Sequence, residues 1–205
     1  MSAPLLPRDL GGGLVMRVAT AADADDSFAV VDAERDRLRE WLPWVDRTRS
    51  PADARRFFEA AERQDAAGEA LHCVVEVDGR FAGVADLRIV PIQRAGEVGY
   101  WLASAAVGKG VITRITAELF DIGFDAFGLH RIQLQAATGN IRSRAVAERL
   151  GMQYEGVRRE AEELPQGFVD LAVYSMLAPE WPGAATALVR ARAGSADSPN
   201  DLSPR

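Results

Sequence analysis

The chain has 205 residues, of which 48% are hydrophobic, and a formal net charge of −6 at pH 7. This length fits one domain of ordinary size with a full hydrophobic core, and no stretch approaches the roughly 18 apolar residues that a membrane span needs. The negative charge argues against nucleic acid as a partner, because nucleic-acid binding needs a basic face, and it suits a cationic partner.

The few chemically special side chains indicate a reducing compartment and no metal. Cys73 is the only cysteine, so no internal disulfide can form. Residues 1–14 lack the apolar region of a signal peptide, and the two features together predict a cytoplasmic protein. Cys73 lies in an apolar run and is expected to be a buried strand residue. His72 and His130 have no partner at metal-ligand spacing, so neither is expected to bind a metal.

In the first quarter of the chain, apolar spacing predicts a strand and two helices. Residues 14–18 form the first strand, and apolar side chains near a 3.6-residue period over 22–41 predict a helix that Pro43 breaks. Ser50-Pro51 is typical of an N-cap followed by proline at the first helical position. A second helix is therefore expected over 52–66.

The remaining elements begin with a hairpin. Two stretches rich in β-branched residues, 71–77 and 80–90, are joined by Asp78-Gly79, and both positions of such a two-residue turn favour positive φ. The elements that follow are a strand over 97–103, a helix over 110–127 that Gly128 ends, a strand over 131–137, a short helix from Asn140 to Leu150, and strands over 153–158 and 168–176.

The order of these elements, β-α-α-β-β-β-α-β-α-β-β, predicts a mixed sheet covered by helices on its faces, in the α/β class. Residues 14–182 are expected to form the one domain, preceded by an N-terminal extension at 1–13. Residues 183–205 are rich in Ala, Arg, Ser, Gly and Pro, and they are expected to form a flexible tail with no core of its own.

A turn that contains two glycines connects the strand over 97–103 to the following helix. Gly108-Lys109-Gly110 would let several backbone N–H groups converge at the positive end of the helix dipole, where a phosphate group binds well. Glycine would allow close approach of the anion, and Thr113 could add a hydroxyl. The spacing excludes a P-loop, which needs G-x-x-x-x-G-K-[ST]. Taken alone, such a turn is more often an ordinary loop.

A second group of motifs supports the interpretation of this turn as a phosphate site. The strand over 131–137 is followed by Thr138-Gly139-Asn140, by Ser143 and by the run 147–152. At this point the chain resembles the GCN5-related N-acetyltransferase (GNAT) family, of the RimJ/RimL type, over residues 14–178. The ordered pieces that carry the resemblance are Leu42-Pro43-Trp44, Gly96-Glu97-Val98-Gly99-Tyr100-Trp101-Leu102, Gly108-Lys109-Gly110, Asn140-x-x-Ser143, Ala145-Val146-Ala147-Glu148-Arg149-Leu150-Gly151-Met152 and Tyr154-Glu155-Gly156.

The resemblance implies an acyl-CoA N-acyltransferase fold, in which two neighbouring parallel strands, 97–103 and 131–137, splay apart within a central mixed sheet. The pantetheine arm of CoA would pair with backbone near Tyr100, Trp101 and Leu102, where a backbone N–H could hold the developing oxyanion. Asn140 would bond the pantetheine. The backbone amides that would hold the pyrophosphate are those of Val107, Gly108, Lys109, Gly110, Val111, Ile112 and Thr113.

The chain also departs from the family pattern. Val107 stands where relatives usually carry Gln or Arg, and Ile112 where many have a small residue; binding is expected to survive because the phosphate contacts are mainly backbone. Ala147 stands where many relatives place a tyrosine proton donor. In the RimL-like branch a serine that matches Ser143 is the thiolate-stabilising candidate, so the resemblance gives this role to Ser143, whose alternative role is that of a helix-surface or capping residue.

The resemblance offers two carboxylates as the base that takes a proton from the acceptor amine. Glu97 lies on the splayed strand, and Glu162 matches the carboxylate at the mouth of the acceptor cleft; each could instead be an ordinary solvated carboxylate. Glu160, beside Glu162, would attract a cationic acceptor. Trp41 and Trp44 would form an apolar wall of the acceptor cleft, unless they only pack at a helix end.

The implied activity is transfer of an acetyl or other short acyl group from acetyl-CoA or a related acyl-CoA to an amine, by direct attack in a ternary complex. A protein or peptide N-terminal amine is the preferred acceptor, on resemblance alone. A small-molecule amine, such as an antibiotic or a polyamine, stays open, as does a homodimer. The alternatives are a non-catalytic acyl-CoA sensor, which Ala147 supports, and a nucleotide-phosphate enzyme, which the missing P-loop spacing disfavours.

Overall fold

The computed structural model describes residues 5–196 and contains one eight-stranded sheet in the order β1-β2-β3-β4-β5-β6-β8-β7. β5 and β6 run parallel, and the other neighbouring strands are antiparallel. The strands are β1 (Arg8–Asp9), β2 (Leu14–Val18), β3 (Ala70–Val77), β4 (Arg80–Val90), β5 (Ala95–Leu102), β6 (Arg131–Ala137), β7 (Gln153–Leu164) and β8 (Gly167–Leu177). The predicted mixed α/β sheet is confirmed.

Six α-helices accompany the sheet within residues 5–196, together with short 3-10 turns. None of these helices is both long and apolar enough to span a bilayer. The helices are α1 (Ala24–Ala33), α2 (Arg35–Arg39), α3 (Pro51–Ala66), α4 (Val111–Asp121), α5 (Ile141–Arg149) and α6 (Ala184–Ala196).

The helices cover both faces of the sheet and form two separate apolar layers. On one face, α4 and α5 bury Ile115, Phe120 and Val146 in the larger layer. On the other face, α1 and α3 bury Val31 and Phe58. Because successive side chains of a strand point to opposite faces, each central strand contributes to both layers.

The hairpin between β3 and β4 forms as the sequence predicts. Asp78 has φ 51° and Gly79 has φ 71°, and positive φ at both positions is what a two-residue turn between twisted strands requires. β3 and β4 then pair from Val77 and Arg80 outwards. This prediction is correct because the turn residues alone determine the geometry.

The start of α3 also agrees with the sequence. Pro51 is its first residue, and the Ser50 side chain accepts a hydrogen bond from the backbone N–H of Asp53 at 3.3 Å. The helix buries one of its two adjacent phenylalanines. Phe58 is fully buried, whereas Phe57 is 48% exposed.

The helix predicted over 22–41 is two helices. α1 and α2 are separated at Glu34, whose backbone (φ −119°, ψ 21°) leaves the helical region, and α2 ends at Arg39, before Pro43. The Glu34 carboxylate accepts hydrogen bonds from the backbone N–H and the hydroxyl of Ser104. The break therefore accompanies a tertiary contact with the end of β5, which helical periodicity cannot reveal.

The elements after the glycine turn lie close to their predicted bounds. The helix expected over 110–127 is α4 followed by a π-helical segment, Ile122–Ala126, and Gly128 with φ 61° follows it. β6 has the predicted bounds. Asn140 caps α5 through its side-chain oxygen.

β7 and β8 are longer than the predicted 153–158 and 168–176, because they continue to a shared tight turn. The register of β7 shifts between Arg158 and Glu162, and Glu160 within this bulge has φ 46°. A bulge re-aims the side chains that follow it. Glu162 follows the bulge and belongs to β7, whereas the predicted strand ended at Arg158.

The described ends of the chain pack onto the domain. Ala184 and Ala187 of α6 are each 3% exposed and belong to the larger apolar layer, so the expectation that residues after 182 have no core is wrong for this helix. Each alanine side chain buries little area, so composition alone gives little indication that an alanine-rich segment packs on the domain. Leu6, within the predicted N-terminal extension, is also buried. The parts of the predicted extension and tail at 1–4 and 197–205 lie outside the described residues.

Candidate functional site

β5 and β6 separate halfway along their length, as the splayed-strand prediction requires. They pair only from Ala95 with Arg131 to Val98 with Leu134. Beyond Val98, β5 continues along β4, while β6 continues along β8. The part of β5 that contains Tyr100, Trp101 and Leu102 therefore lies on one side of a gap, and the end of β6 lies on the other.

A cleft of about 1990 Å³ includes this gap. Its lining comes from both faces of the sheet. From the face covered by α4 and α5 it includes Tyr100, Asn140 and Ser143, and from the face covered by α1–α3 it includes Trp41 and Glu97. The cleft therefore joins the two faces, and we refer to its halves as the α4–α5 side and the α1–α3 side.

The glycine turn forms one end of the α4–α5 side. Gly108 has φ 78°, and Gly110, the N-cap of α4, has φ 71°. A Cβ at either glycine would meet no atom within 4 Å. Within the chain itself, both positions favour glycine because of their positive φ, which glycine adopts without strain.

The backbone N–H groups at the start of α4 precede its hydrogen-bonded turns. The Arg114 N–H bonds to the Gly110 carbonyl at 3.2 Å, so the three amides before it precede the first intrahelical bond, as at any helix start. The first turn of α4 carries no acidic residue. An acidic side chain there would compete with a bound anion for the helix N-terminus. All residues named for the pyrophosphate, Val107, Gly108, Lys109, Gly110, Val111, Ile112 and Thr113, line the cleft.

A hydroxyl pair lies deeper on the α4–α5 side. The Tyr100 hydroxyl is 2.9 Å from Ser143 Oγ, and the Ser143 backbone N–H donates to Asn140 Oδ1 at 3.1 Å. Burial raises the pKa of Tyr100 to about 12, and the hydrogen bond from Ser143 opposes this rise only in part. The phenol is therefore protonated at neutral pH and can act as a donor.

This arrangement bears on the alternative roles of two residues. The cap of α5 is Asn140, and the Ser143 hydroxyl is bonded to Tyr100 rather than to the backbone of the cap. A capping role for the Ser143 side chain is therefore not what the geometry favours. Asn140 uses its oxygen in the cap, so its amide N–H groups are the part left for a ligand.

The sequence reasoning named Tyr100 only for its backbone and missed its hydroxyl. The signal was present in the alternation of β5, because Val98, Tyr100 and Leu102 point to the α4–α5 side while Glu97 and Trp101 point to the other. Ala147, which occupies the position of the usual tyrosine, is fully buried. The phenol that borders the cleft, that of Tyr100, therefore belongs to β5 and not to α5.

The far end of β5 is fixed by α2. Arg37 donates to the Leu102 carbonyl at 2.7 Å and pairs with Glu34, whose carboxylate holds the Ser104 backbone N–H. The sequence reasoning did not identify this clamp. One lone pair of the Leu102 carbonyl is thus occupied, which leaves one acceptor position for a ligand at that residue.

Glu97 on the α1–α3 side is fully engaged. Its Oε1 accepts from Arg88, and its Oε2 accepts from Gln133 Nε2 at 2.6 Å and from Gln135 Nε2 at 2.7 Å. Arg158 in turn donates to Gln135 Oε1 at 2.7 Å. These hydrogen bonds occupy both oxygens of the Glu97 carboxylate.

Glu162 differs from Glu97 in this respect. Among the residues that the structure describes, no hydrogen bond to its carboxylate is found, and it lines the same cleft. Burial raises the pKa of Glu162, the charge of Glu97 raises it further, and Arg88 opposes the rise. Of the two carboxylates offered by the sequence, Glu162 is therefore the freer to accept a proton.

The other predicted acceptor residues separate into two groups. Trp41 and Trp44 line the cleft; a Cβ on Gly139 would lie 3.5 Å from the Trp41 ring, and Trp44 packs on Trp101 with ring centroids 5.9 Å apart. Glu160 is exposed and its backbone N–H is bonded to Asp170. Glu160 does not belong to the cleft lining, so the structure does not bring it to the predicted place.

Cys73 is the buried strand residue that the sequence predicts. Cys73 is fully buried, and burial raises the pKa of its thiol, which is the opposite of an activated nucleophile. His130 is exposed. Within residues 5–196, no group of three or more potential ligands is arranged to hold a metal.

Comparison with protein families identifies this class of fold and site. Residues 13–153 match the family model described as the acetyltransferase (GNAT) domain. The chain therefore belongs to the GNAT family and is an N-acetyltransferase of its RimJ/RimL-like branch.

Individual relatives agree with this assignment. The provisionally named ribosomal N-acetyltransferase YdaF of Bacillus subtilis (strain 168) is 31% identical over 175 residues, which cover 83% of this chain and 94% of the relative. The ribosomal-protein-serine acetyltransferase of Escherichia coli (strain K12) is 26% identical over 141 residues, 68% of this chain and 79% of the relative. Among solved structures, Mycobacterium smegmatis RimJ in complex with a CoA disulfide matches with a TM-score of 0.81 at 28% identity and covers 88% of this chain and 89% of that one.

Proposed function

We propose that this N-acetyltransferase moves an acetyl group from acetyl-CoA to the N-terminal α-amine of a protein or peptide. The observation that carries the proposal is the single cleft through the gap between β5 and β6, with a glycine turn and hydroxyls on one side and carboxylates on the other. The acceptor class is supported by the relatives, two of which are named for ribosomal N-acetylation or for a ribosomal-protein acetyltransferase.

On the α4–α5 side, the chain offers acetyl-CoA backbone amides and hydroxyls, with the Lys109 side chain in the same turn. The amides over 107–113 suit the pyrophosphate, because several N–H groups converge at the start of α4. The backbone of Tyr100, Trp101 and Leu102 borders the gap as an open strand edge, where an extended arm can add as a further strand. A backbone N–H of this segment would stabilise the oxyanion that develops on the thioester carbonyl.

Ser143 is the residue we assign to the leaving group. As the C–S bond breaks, the Ser143 hydroxyl donates a hydrogen bond to the departing thiolate, and the Tyr100 hydroxyl, 2.9 Å away, donates a hydrogen bond to the serine oxygen in turn. Both hydroxyls keep their protons, because burial raises the pKa of Tyr100 to about 12, and the thiolate leaves with CoA and is protonated by solvent. In this proposal, Ser143 and Tyr100 together take the role of the tyrosine that many relatives carry where this chain has Ala147.

Glu162 is the residue we assign to the base. The amine nitrogen forms a C–N bond with the carbonyl carbon, and the proton that the nitrogen loses passes to the Glu162 carboxylate. An α-amine has a pKa of about 8 in water, so a base with a modestly raised pKa is adequate. Glu97 is better suited to fixing Arg88 and the glutamines of β6, because all three of its bonds already stabilise its charge.

An acceptor panel tests the proposal directly. The purified full chain is incubated with acetyl-CoA, and separately with succinyl-CoA, and with decapeptides that begin with Ser, Ala or Met and contain an internal lysine, with spermidine and with an aminoglycoside. Mass spectrometry of the acceptors and release of free thiol are measured. Acetylation of a peptide α-amine, with no reaction of the same peptide when its N-terminus is already blocked, is the expected result. Reaction only at the lysine or only on a small amine would contradict it.

A further inference from the structure

Asp86 on β4 is a carboxylate that the proposed reaction does not use. In the sheet it pairs with Gly99 of β5 on one side and with His72 of β3 on the other. Gly99 is the first residue of β5 after the last pair with β6. The carboxylate therefore lies beside the point where the gap opens, on the α1–α3 side, and it lines the cleft.

The Asp86 carboxylate lacks the partners that a buried charge normally has. Its Oδ1 is buried and has no hydrogen-bond partner among residues 5–196. The nearest cation is Arg88, whose Nε lies 3.7 Å from Oδ1, too far for a hydrogen bond, and whose terminal nitrogen is bonded to Glu97. A buried acceptor without a donor costs stability, so its presence calls for a ligand.

The neighbouring backbone leaves room for this side chain. A Cβ on Gly99 would lie 2.8 Å from Asp86 Oδ2, closer than real contacts allow. The Asp86 carboxylate therefore occupies the place that a side chain at position 99 would take. A larger residue at position 99 would require the Asp86 carboxylate to shift from its place beside the gap.

His72 beside Asp86 is held in one orientation. Its Nδ1 is 2.7 Å from Asp65 Oδ1, and its backbone N–H donates to the same carboxylate at 3.0 Å. Burial raises the pKa of Asp86, the charges of Arg88 and His72 oppose the rise, and those of Glu97 and Asp65 add to it. The site is thus a fixed, partly desolvated carboxylate with no neutralising partner in bonding contact.

We propose that Asp86 binds the ammonium group of the acceptor and so determines that the enzyme takes cationic amines. The inference rests on the proposed function and adds to it the residue that recognises the acceptor. An α-amine with a pKa of about 8 arrives mostly as ammonium at neutral pH, and a charge-assisted hydrogen bond to Asp86 satisfies Oδ1. Asp86 contributes to binding, whereas Glu162 takes the proton, so the two carboxylates have separable kinetic effects.

The test is Asp86→Asn, which keeps the shape of the side chain and removes its charge. With a serine-initiated decapeptide and saturating acetyl-CoA, we expect the peptide KM to rise about tenfold or more, kcat to change less than about twofold, and the Kd of acetyl-CoA to stay unchanged. The matched control is Glu163→Gln, an exposed carboxylate on β7 that removes the same charge. It should leave all three quantities as in the unmodified chain.

A binding measurement removes the dependence on turnover. Calorimetry of the CoA-bound enzyme with the free-amine peptide and with its N-acetylated form should show a preference for the free amine, and Asp86→Asn should abolish that preference. The melting temperature of Asp86→Asn should stay equal or rise, since a buried unpaired charge is removed. A structural carboxylate would instead lower it.

The outcomes separate this inference from the proposed function. If the unmodified chain acetylates spermidine and no peptide, the proposed acceptor is wrong, and the same KM ratio and binding comparison are then made with spermidine. An unchanged KM and unchanged binding in Asp86→Asn would overturn the inference. So would an equal effect of Glu163→Gln, a fall in melting temperature together with the KM change, or an unmodified chain with no preference for a free amine.

Discussion

The two sides of the cleft are built from different chemistry. The α4–α5 side presents backbone amides, two glycines and the Tyr100–Ser143 hydroxyl pair. The α1–α3 side presents the carboxylates of Asp86, Glu97 and Glu162 beside Arg88. Neutral donors hold their geometry at any physiological pH, whereas the charges respond to pH and salt. Changes on the first side should therefore alter donor binding and the leaving group, and changes on the second should alter the acceptor and pH dependence.

The largest effect is expected at Glu162. Glu162→Gln should lower kcat by about 10²- to 10⁴-fold, the usual contribution of a general base, with little change in the Kd of acetyl-CoA. Because burial raises the pKa of Glu162 above its ordinary 4.5, and because the base must be ionised, kcat/KM of the unmodified enzyme should fall as the pH drops through this raised pKa. The variant should lack that acid limb in a pH profile.

Glu97→Gln is the matched comparison for Glu162. It removes the same charge from the same side of the cleft, but the three bonds to Glu97 predict a smaller loss in kcat and an intact acid limb. An acid limb lost in Glu97→Gln and kept in Glu162→Gln would reverse the assignment of the base.

The next effect concerns the glycine turn. Gly110→Asp places a carboxylate at the start of α4, and like charges at close range cost several kcal/mol, so the Kd of CoA should rise about 100-fold or more by calorimetry. The control is Gly128→Asp, at a glycine that also has positive φ and an open Cβ position but lies after the helix. Equal affinities of the two variants would remove the phosphate site from this turn.

A smaller effect is expected at Ser143. Loss of a hydrogen bond to a developing charge costs about 1.5–3 kcal/mol, so Ser143→Ala should lower kcat about 10- to 100-fold while the Kd of acetyl-CoA changes little. Ser143→Thr retains a hydroxyl and should recover most of the rate. If the alanine variant kept full turnover and lost only melting temperature, the serine would be a helix residue alone.

The smallest effect is expected at Tyr100, which acts through Ser143. Tyr100→Phe removes one neutral hydrogen bond worth about 0.5–1.5 kcal/mol, which corresponds to a decrease in kcat of about two- to tenfold. In the double variant with Ser143→Ala, the tyrosine change should have no further effect, because its partner is gone. Additive losses in this double-mutant cycle would contradict a relay between the two hydroxyls.

Local chemistry explains which predictions from sequence are correct. The Asp78-Gly79 hairpin, the Ser50-Pro51 helix start and the bounds of β6 each depend on residues that are neighbours in the chain. The break at Glu34 was not predicted, because the contact that accompanies it is with Ser104, seventy positions away. The packing of α6 was not predicted for a similar reason. Its alanines are buried because they contact the larger apolar layer, whose other residues are distant in sequence.

The amino-acid sequence by itself determined the order of the strands from β2 to β8, the turn at Gly108–Gly110 and the set of motifs that marks an N-acetyltransferase, because backbone preferences and residue spacing are local properties. The tertiary structure decided which carboxylate is free, since donors from β4 and β6 engage Glu97 while Glu162 has none among the described residues. It also joined Tyr100 to Ser143 and left Oδ1 of Asp86 without a hydrogen-bond partner among the described residues. Hydrogen-bond partners and desolvation depend on groups that are distant in sequence, and only the folded chain brings them together.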